Sequence, residues 1–278
     1  MVSQILKQTY PRPFLKWAGG KSRLISQYQA YFPKDYKTYY EPFLGGGAIF
    51  FYLQPSQAIL TDINADLILT YRCVRDHLEE LIALLQKHKQ GHNSEYYYDV
   101  RNCQNGTDLE KAARFIYLNK TCFNGLYRVN SQGKFNVPVG KYKNPGVCQE
   151  EVLKVASVAL EKVEIKHANF DEVLNYATGS NDFVYFDPPY YPLSPTSNFT
   201  AYSNFCFDEN QQIKLRDIFI KLANKGVKVM LSNSDCPFIR DLYSGFNVHT
   251  ISAARSINSN AQRRGKITEI LVTSYSRE

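Results

Sequence analysis

Two rhythms of apolar and polar positions take turns along this chain, one of period two and one of period about 3.6. YYEPFLGGG (39–47) reads as a short buried strand running into a glycine turn, and AIFFYL after it as the start of a helix. QAILTDIN (57–64) reads as a strand that ends in a carboxylate. From about Ala65 to Thr121 only helical patterns occur, among them EELIALLQKHKQ and LEKAARFIYLNK. The stretch 124–146 alternates around Ser131-Gln132-Gly133, a hairpin signal. It carries Arg128, Lys134, Lys141 and Lys143, so it is expected to project from the core. EEVLKVASVALEKV (150–163) predicts a helix. Strand and helix then alternate: VEIKHA, DEVLNYA, DFVYFDPPY, DENQQIKLRDIFIKLANKG and VKVMLSN. FNVHTISA and ITEILVTSYS predict two strands on either side of the polar loop RSINSNAQRRGK.

This alternation predicts an α/β fold with a mostly parallel sheet and ligands at the carboxyl ends of its strands. One unit is made of residues 1–63 and 151–278. An insert, 64–150, splits it in sequence, with helices first and the hairpin after them.

Composition narrows the class. The 278 residues are 44% hydrophobic and 21% charged, as expected of a chain with a sizeable core. There is no apolar run of about 18 residues, so no membrane span is expected. The start, MVSQILKQTYPRPF, has no basic stretch leading into an apolar one, so cytoplasmic residence is the expectation. The six cysteines form no C-x-x-C pair and the five histidines complete no zinc spacing, so a reduced chain without metal is expected. The net charge of +7 permits an anionic partner. The 21 Tyr and 17 Phe could stack on bases, although most such rings serve a core.

Gly19-Gly20-Lys21-Ser22 has the look of a P-loop tail. A P-loop would need glycine at position 15, where this chain has Leu15, and Pro11 and Pro13 spoil the strand that should precede it. Nucleotide triphosphate binding is therefore rejected. The glycine turn Phe43-Leu44-Gly45-Gly46-Gly47 is more informative. Its glycines let backbone approach a ligand, and Asp62 at the end of the next strand can accept both hydroxyls of a ribose. The glycine spacing does not match a pyrophosphate fingerprint, which argues against NAD or FAD. Asp187-Pro188-Pro189-Tyr190 follows a fully apolar strand. Two prolines stiffen the backbone there. The Asp187 carboxylate and the Pro188 carbonyl become paired acceptors, and Tyr190 offers a flat face. Such a site suits an exocyclic amino group on a planar ring.

D-P-P-Y with an upstream F-x-G-G-G resembles the S-adenosylmethionine-dependent amino-methyltransferases of DNA. FLKWAGGK (14–21), EPFLGGG (41–47), NGLYRVN and FNVPVGKY (124–142), DPPYYPLSPTSNFTAYS (187–203) and RSINSN (255–260) resemble, in order, the segments of the Dam-type adenine-N6 methyltransferases, alpha group, D12 class. The resemblance runs nearly end to end. It implies a Rossmann-like methyltransferase sheet in 1–63 and 151–278 and a DNA target-recognition domain in 64–150. It implies S-adenosylmethionine held by Trp17, Lys21, Phe43, Gly45, Gly47, Asp62 and Asp187. Asp187, Pro188 and Tyr190 are implied as catalytic, with Tyr190 stacking on an adenine flipped out of duplex DNA. The implied DNA contacts are Lys16, Phe123, Asn124, Leu126, Arg128 and Pro138, with Arg128 on a guanine edge and Leu126 and Pro138 near thymine methyls. Lys141 stands where close Dam-type relatives often carry Arg. A phosphate contact survives that change and a bidentate guanine contact does not. Arg255, Arg263, Arg264 and Lys266 are expected in a phosphate-binding flap. The implied target is GATC, read by a monomer. Glutamine-N5 methylation of protein, which uses N-P-P-Y, cytosine-N4 methylation, and a silent DNA-binding relative are the competing readings.

Overall fold

The computed structural model describes residues 10–193, 207–254 and 266–276. Its strands are β1 (Thr38–Glu41), β2 (Ala58–Asp62), β3 (Val163–His167), β4 (Asp182–Phe186), β5 (Lys228–Ser234), β6 (Asn247–Ala254) and β7 (Lys266–Thr273). The helices are α1 (Ile25–Tyr28), α2 (Ala48–Leu53), α3 (Ala65–Asp76), α4 (Leu78–Gly91), α5 (Ser94–Asn102), α6 (Asp108–Thr121), α7 (Glu150–Leu160), α8 (Glu209–Asn224) and α9 (Pro237–Leu242).

The strands form one sheet in the order β3-β2-β1-β4-β5-β7-β6. β3 to β5 pair in parallel, and β7 enters antiparallel between β5 and β6. β4 lies at the centre, and all five of its residues are buried. A strand with neighbours on both edges and cover on both faces has no polar side to show, which is why residues 183–186 read as an unbroken apolar run after Asp182, whose carboxylate is satisfied by the N–H groups of Thr178 and Gly179. Its residues still alternate. Phe183 and Tyr185 join a core with α3, α4, α6 and α7, and Val184 and Phe186 join a second core with α8 and α9. Burying one such side chain contributes about 1.5–3 kcal/mol.

Local signals set the helix ends. Thr107 accepts from the Glu110 N–H while the Glu110 carboxylate accepts from the Thr107 N–H, a capping box that starts α6. Asn64 caps α3 by accepting from the Leu67 N–H. Arg72 and Arg75 on α3 reach across to β3 and donate to the carbonyls of Ile165 and Val163.

Three details differ from the sequence pattern. DEVLNYA forms not an α-helix but a 3₁₀ stretch, Phe170–Asn175, opened by Asn169 and Glu172 as a capping box. Its single apolar flank, Phe170 and Val173, is three residues apart, which suits the tighter winding. The hairpin turns at 130–134 as expected, where the Asn130 carboxamide accepts from the N–H groups of Gln132 and Lys134. Its arms touch through the isolated bridges Cys122–Val139 and Val129–Phe135 rather than a continuous ladder. α9 was not anticipated: Pro237 at its first turn starts it.

Candidate active site

The sheet order reverses between β1 and β4, and the crevice above their carboxyl ends is where an open α/β sheet takes its ligand. Four acidic residues stand at that edge. Glu41 ends β1, Asp62 ends β2 and Asp187 follows β4. Glu269 lies on β7 opposite Ser234. Because β7 is antiparallel, its early residues, not its late ones, meet this edge.

Asp187 is held on one side only. Its Oδ1 lies 2.7 Å from Lys21 Nζ and accepts from Ser232 Oγ at 2.8 Å. Among the described residues no donor reaches Asp187 Oδ2 or the Pro188 carbonyl. Lys21 is buried. It also donates to the Gly19 carbonyl at 2.6 Å and stands 4.8 Å from the centroid of the Tyr190 ring. The positive φ of Gly19, 78°, turns the chain so that this carbonyl faces its own lysine. Tyr190 is half-buried, and its hydroxyl donates to Glu269 Oε2 at 3.0 Å. Tyr28 donates to Glu269 Oε1.

Asp62 Oδ2 accepts from the Gly45 N–H at 3.0 Å and Oδ1 from the Asn64 N–H at 2.9 Å. Each oxygen keeps a lone pair. Trp17 covers the glycine turn so closely that a Cβ on Gly45 would sit 2.7 Å from its ring. The same indole stacks towards Tyr127, with centroids 5.7 Å apart. Phe43 points into a separate aromatic group, stacked on Phe170 at 5.3 Å with Phe207 edge-on.

Burial dominates the electrostatics. Glu41 is 3% exposed and its Oε2 accepts from the Tyr39 hydroxyl at 2.9 Å. Burial, reinforced by the charge of Asp187 and opposed by Tyr39, pushes its carboxyl up to about 8. Burial also raises Glu269, against the opposing pull of Lys21 and the Tyr28 hydroxyl. It raises Asp62, against the N–H groups of Gly45 and Asn64. Tyr28 and Tyr190 are driven well above the usual phenol range, again by burial first, and stay neutral.

Of the sequence-predicted DNA residues, Phe123, Asn124, Leu126, Arg128, Pro138 and Lys141 follow α6, and Lys16 comes from the N-terminal segment. Lys16 runs beside Asn119, whose side chain accepts from the Lys16 N–H at 2.8 Å and donates to the Lys16 carbonyl at 2.7 Å. The Lys16 stem packs on Gly125 and its ammonium lies 4.1 Å from the centroid of the Tyr142 ring. Phe123 is 50% exposed, Asn124 takes the left-handed conformation (φ 56°), and Leu126 is half-buried. Arg128 Nε donates to Asn136 Oδ1 at 2.7 Å across the hairpin. Pro138 and Lys141 are exposed. Nearby, Lys120 is buried and donates to Gln149 Oε1 at 3.0 Å, and burial, then Lys16 and Arg12, lower its ammonium to about 8. Arg255, Arg263 and Arg264 lie outside the described residues, and Lys266 opens β7.

The structure thus joins Lys21, Asp187 and Tyr190 directly, and Asp62, Gly45 and Trp17 in a second group. Sequence reasoning missed Glu41, Glu269, Ser232, Tyr28 and Asn119. Glu269 did leave a signal: it interrupts the apolar face Ile267-x-Glu269-x-Leu271 of a strand.

The sheet order, the antiparallel β7 and the carboxylates at the ends of β1, β2 and β4 define a Rossmann-like methyltransferase. Residues 17–257 match the family described as D12 class N6 adenine-specific DNA methyltransferase, and the chain belongs to that family. It is similar to the type II methyltransferase M1.LlaDCHI of Lactococcus lactis subsp. cremoris, 45% identical over 272 residues and 95% of each chain. It is 42% identical to the type II methyltransferase M.MjaIII of Methanocaldococcus jannaschii, over 95% of this chain and 99% of that one. The DNA adenine methylase of Escherichia coli (strain K12) is 36% identical over 94% of both. An rRNA methylase structure from Streptococcus thermophilus overlays on 90% of this chain and 93% of that one, with a TM-score of 0.39 and 8% identity. The chain is therefore an adenine-specific DNA methyltransferase, of a family that uses a methyl donor of the S-adenosylmethionine type.

Proposed function

We propose that this enzyme methylates adenine N6 within GATC in duplex DNA, on a base flipped out of the stack and into the D-P-P-Y site, with S-adenosylmethionine as the donor. The observation that carries this reading is the one-sided hold on Asp187. Lys21 and Ser232 fix Oδ1, so Oδ2 and the Pro188 carbonyl remain as two acceptors for the two hydrogens of an amino group. Accepting both hydrogens draws the nitrogen lone pair out of the ring and aims it.

The residues fit the cofactor. Asp62 has a lone pair free on each oxygen for ribose hydroxyls, and Gly45 and Trp17 stand beside it; Phe43 and Gly47, which pack against other side chains, bear on the cofactor only through the turn they belong to. When bound, S-adenosylmethionine supplies an electrophilic methyl on sulfur. This chain's own part is orientation and charge: Asp187 and Pro188 hold the amino group, Tyr190 stacks on the base, and Lys21 keeps Asp187 in place. No general base is needed, because the alkylated nitrogen is acidic enough to lose its proton.

Residues 64–150 form the target-recognition part in this reading. Phe123 and Asn124 enter where the base left, Arg128 reads guanine, and Leu126 and Pro138 meet methyl groups. Lys141 serves as a phosphate contact. Lys16, Arg255, Arg263 and Arg264 complete the DNA face. A single copy on DNA is our expectation.

The test is transfer of labelled methyl to short duplexes with GATC or with each base changed, using the wild type and Asp187→Asn. We expect label on adenine N6 only in intact GATC, with roughly a 10²–10³-fold loss in the variant. Label in other sequences would overturn the target assignment and keep the chemistry. Full activity of Asp187→Asn would overturn the site.

A further inference from the structure

Glu269 is a carboxylate buried to 7% exposure whose two oxygens each accept one tyrosine hydroxyl, from Tyr28 and Tyr190. Among the described residues no cation lies within ion-pair distance of it. A charge-bearing group in such a place is a cost to stability. Replacing a donor–acceptor set by apolar groups of the same shape is often neutral. Stability alone therefore gives no reason for this arrangement, and its geometry supplies one. A ring that only had to stack could be phenylalanine. The Tyr190 ring is instead fixed at three places: by the backbone after Pro188 and Pro189, by its hydroxyl on Glu269, and by the Lys21 ammonium 4.8 Å from its centroid. Glu269 comes from β7 and Tyr28 from α1, so the anchor joins two distant parts of the chain to the loop after β4.

We propose that Glu269 is a positioning residue: it tethers the Tyr190 hydroxyl, so that the ring is preset for stacking on a planar base before the base arrives. The inference rests on the D-P-P-Y reading above and deepens it. Preorganisation of this kind acts on the rate of methyl transfer and not on the affinity for duplex.

The experiment measures single-turnover methyl transfer at saturating DNA and donor, the KM of each, and thermal melting, for four variants. Tyr190→Phe removes the tether and keeps the ring. Glu269→Ala removes it from the other end. Glu269→Gln keeps a group that can hydrogen-bond to both hydroxyls and removes the charge. The fourth variant combines Tyr190→Phe with Glu269→Ala. We expect a rate loss of roughly 10- to 100-fold for Tyr190→Phe and for Glu269→Ala, with each KM within about threefold of the wild type. We expect Glu269→Gln to recover to within about fivefold of wild type, and the double variant to be no slower than the worse single variant. If Glu269→Ala fails to fold, the Tyr190→Phe result still decides. A wild-type rate for Tyr190→Phe, multiplying losses in the double variant, or Glu269→Gln as slow as Glu269→Ala would each overturn the tether. Asp187→Asn runs alongside: if it is inactive while Tyr190→Phe is unimpaired, only the tether falls, and if it is active the site reading falls first.

Discussion

Glu41→Gln isolates one proton. In the folded protein this carboxyl is pushed up to about 8, by burial first and then by the charge of Asp187, from an ordinary value of 4.5. Between those two values the folded state holds a proton that the unfolded chain releases. A folded state that binds more protons loses stability as pH rises, by about 1.4 kcal/mol per pH unit for one proton. Stability from this group is therefore fully present below about 4.5 and falls away through 8. From pH 5.5 to 7.5 the loss comes to about 2.5 kcal/mol. Gln has the same shape, offers the same acceptor to the Tyr39 hydroxyl, and does not titrate. Urea denaturation of both proteins at the two pH values reads the difference. With a slope near 3 kcal/mol per molar urea, the wild-type midpoint should drop by roughly 0.8 M more than that of the variant. Comparing the two proteins cancels the histidines His88 and His92, whose lowering by burial pulls in the opposite direction. Midpoints that move in parallel would show that Glu41 titrates as an ordinary carboxyl and would refute the reasoning.

Two further outcomes concern the frame of the site. Gly47→Ala puts a side chain on a residue at φ 66° and a Cβ 2.9 Å from the Tyr71 hydroxyl; the left-handed conformation alone costs about 1–2 kcal/mol, and a lowered melting temperature checks it. Asn119→Asp turns the donor facing the Lys16 carbonyl into an acceptor; losing that buried bond should cost about 1–3 kcal/mol, and chemical denaturation measures it.

How far the sequence reached depended on distance along the chain. β4 was legible because a central strand covered on both faces gives a continuous apolar run, here residues 183–186, and Asp187 because two prolines mark the end of that strand. Asp62 was legible for the same reason: it closes a strand next to a glycine turn. Glu269 was not, since only the antiparallel entry of β7 brings an early strand residue to the carboxyl edge. Asn119 was invisible in another way. It sits in an apolar helix run and gains its meaning from Lys16, 103 residues away. The 3₁₀ stretch at Phe170 reads as an α-helix because apolar residues at 170, 173 and 174 fit both windings over so short a span.

β7 follows β6 in the chain but lies inside it in the sheet, between β5 and β6. The strand that carries Glu269 is thus the one threaded between two others. Tyr28 must wait for a partner 241 residues later, and Tyr190 for one 79 residues later. Contacts between such distant positions form late, since a long loop must close before they return anything. A growing chain on the ribosome can fold its early strands and helices, yet its pocket stays without its anchor until residue 269 has emerged.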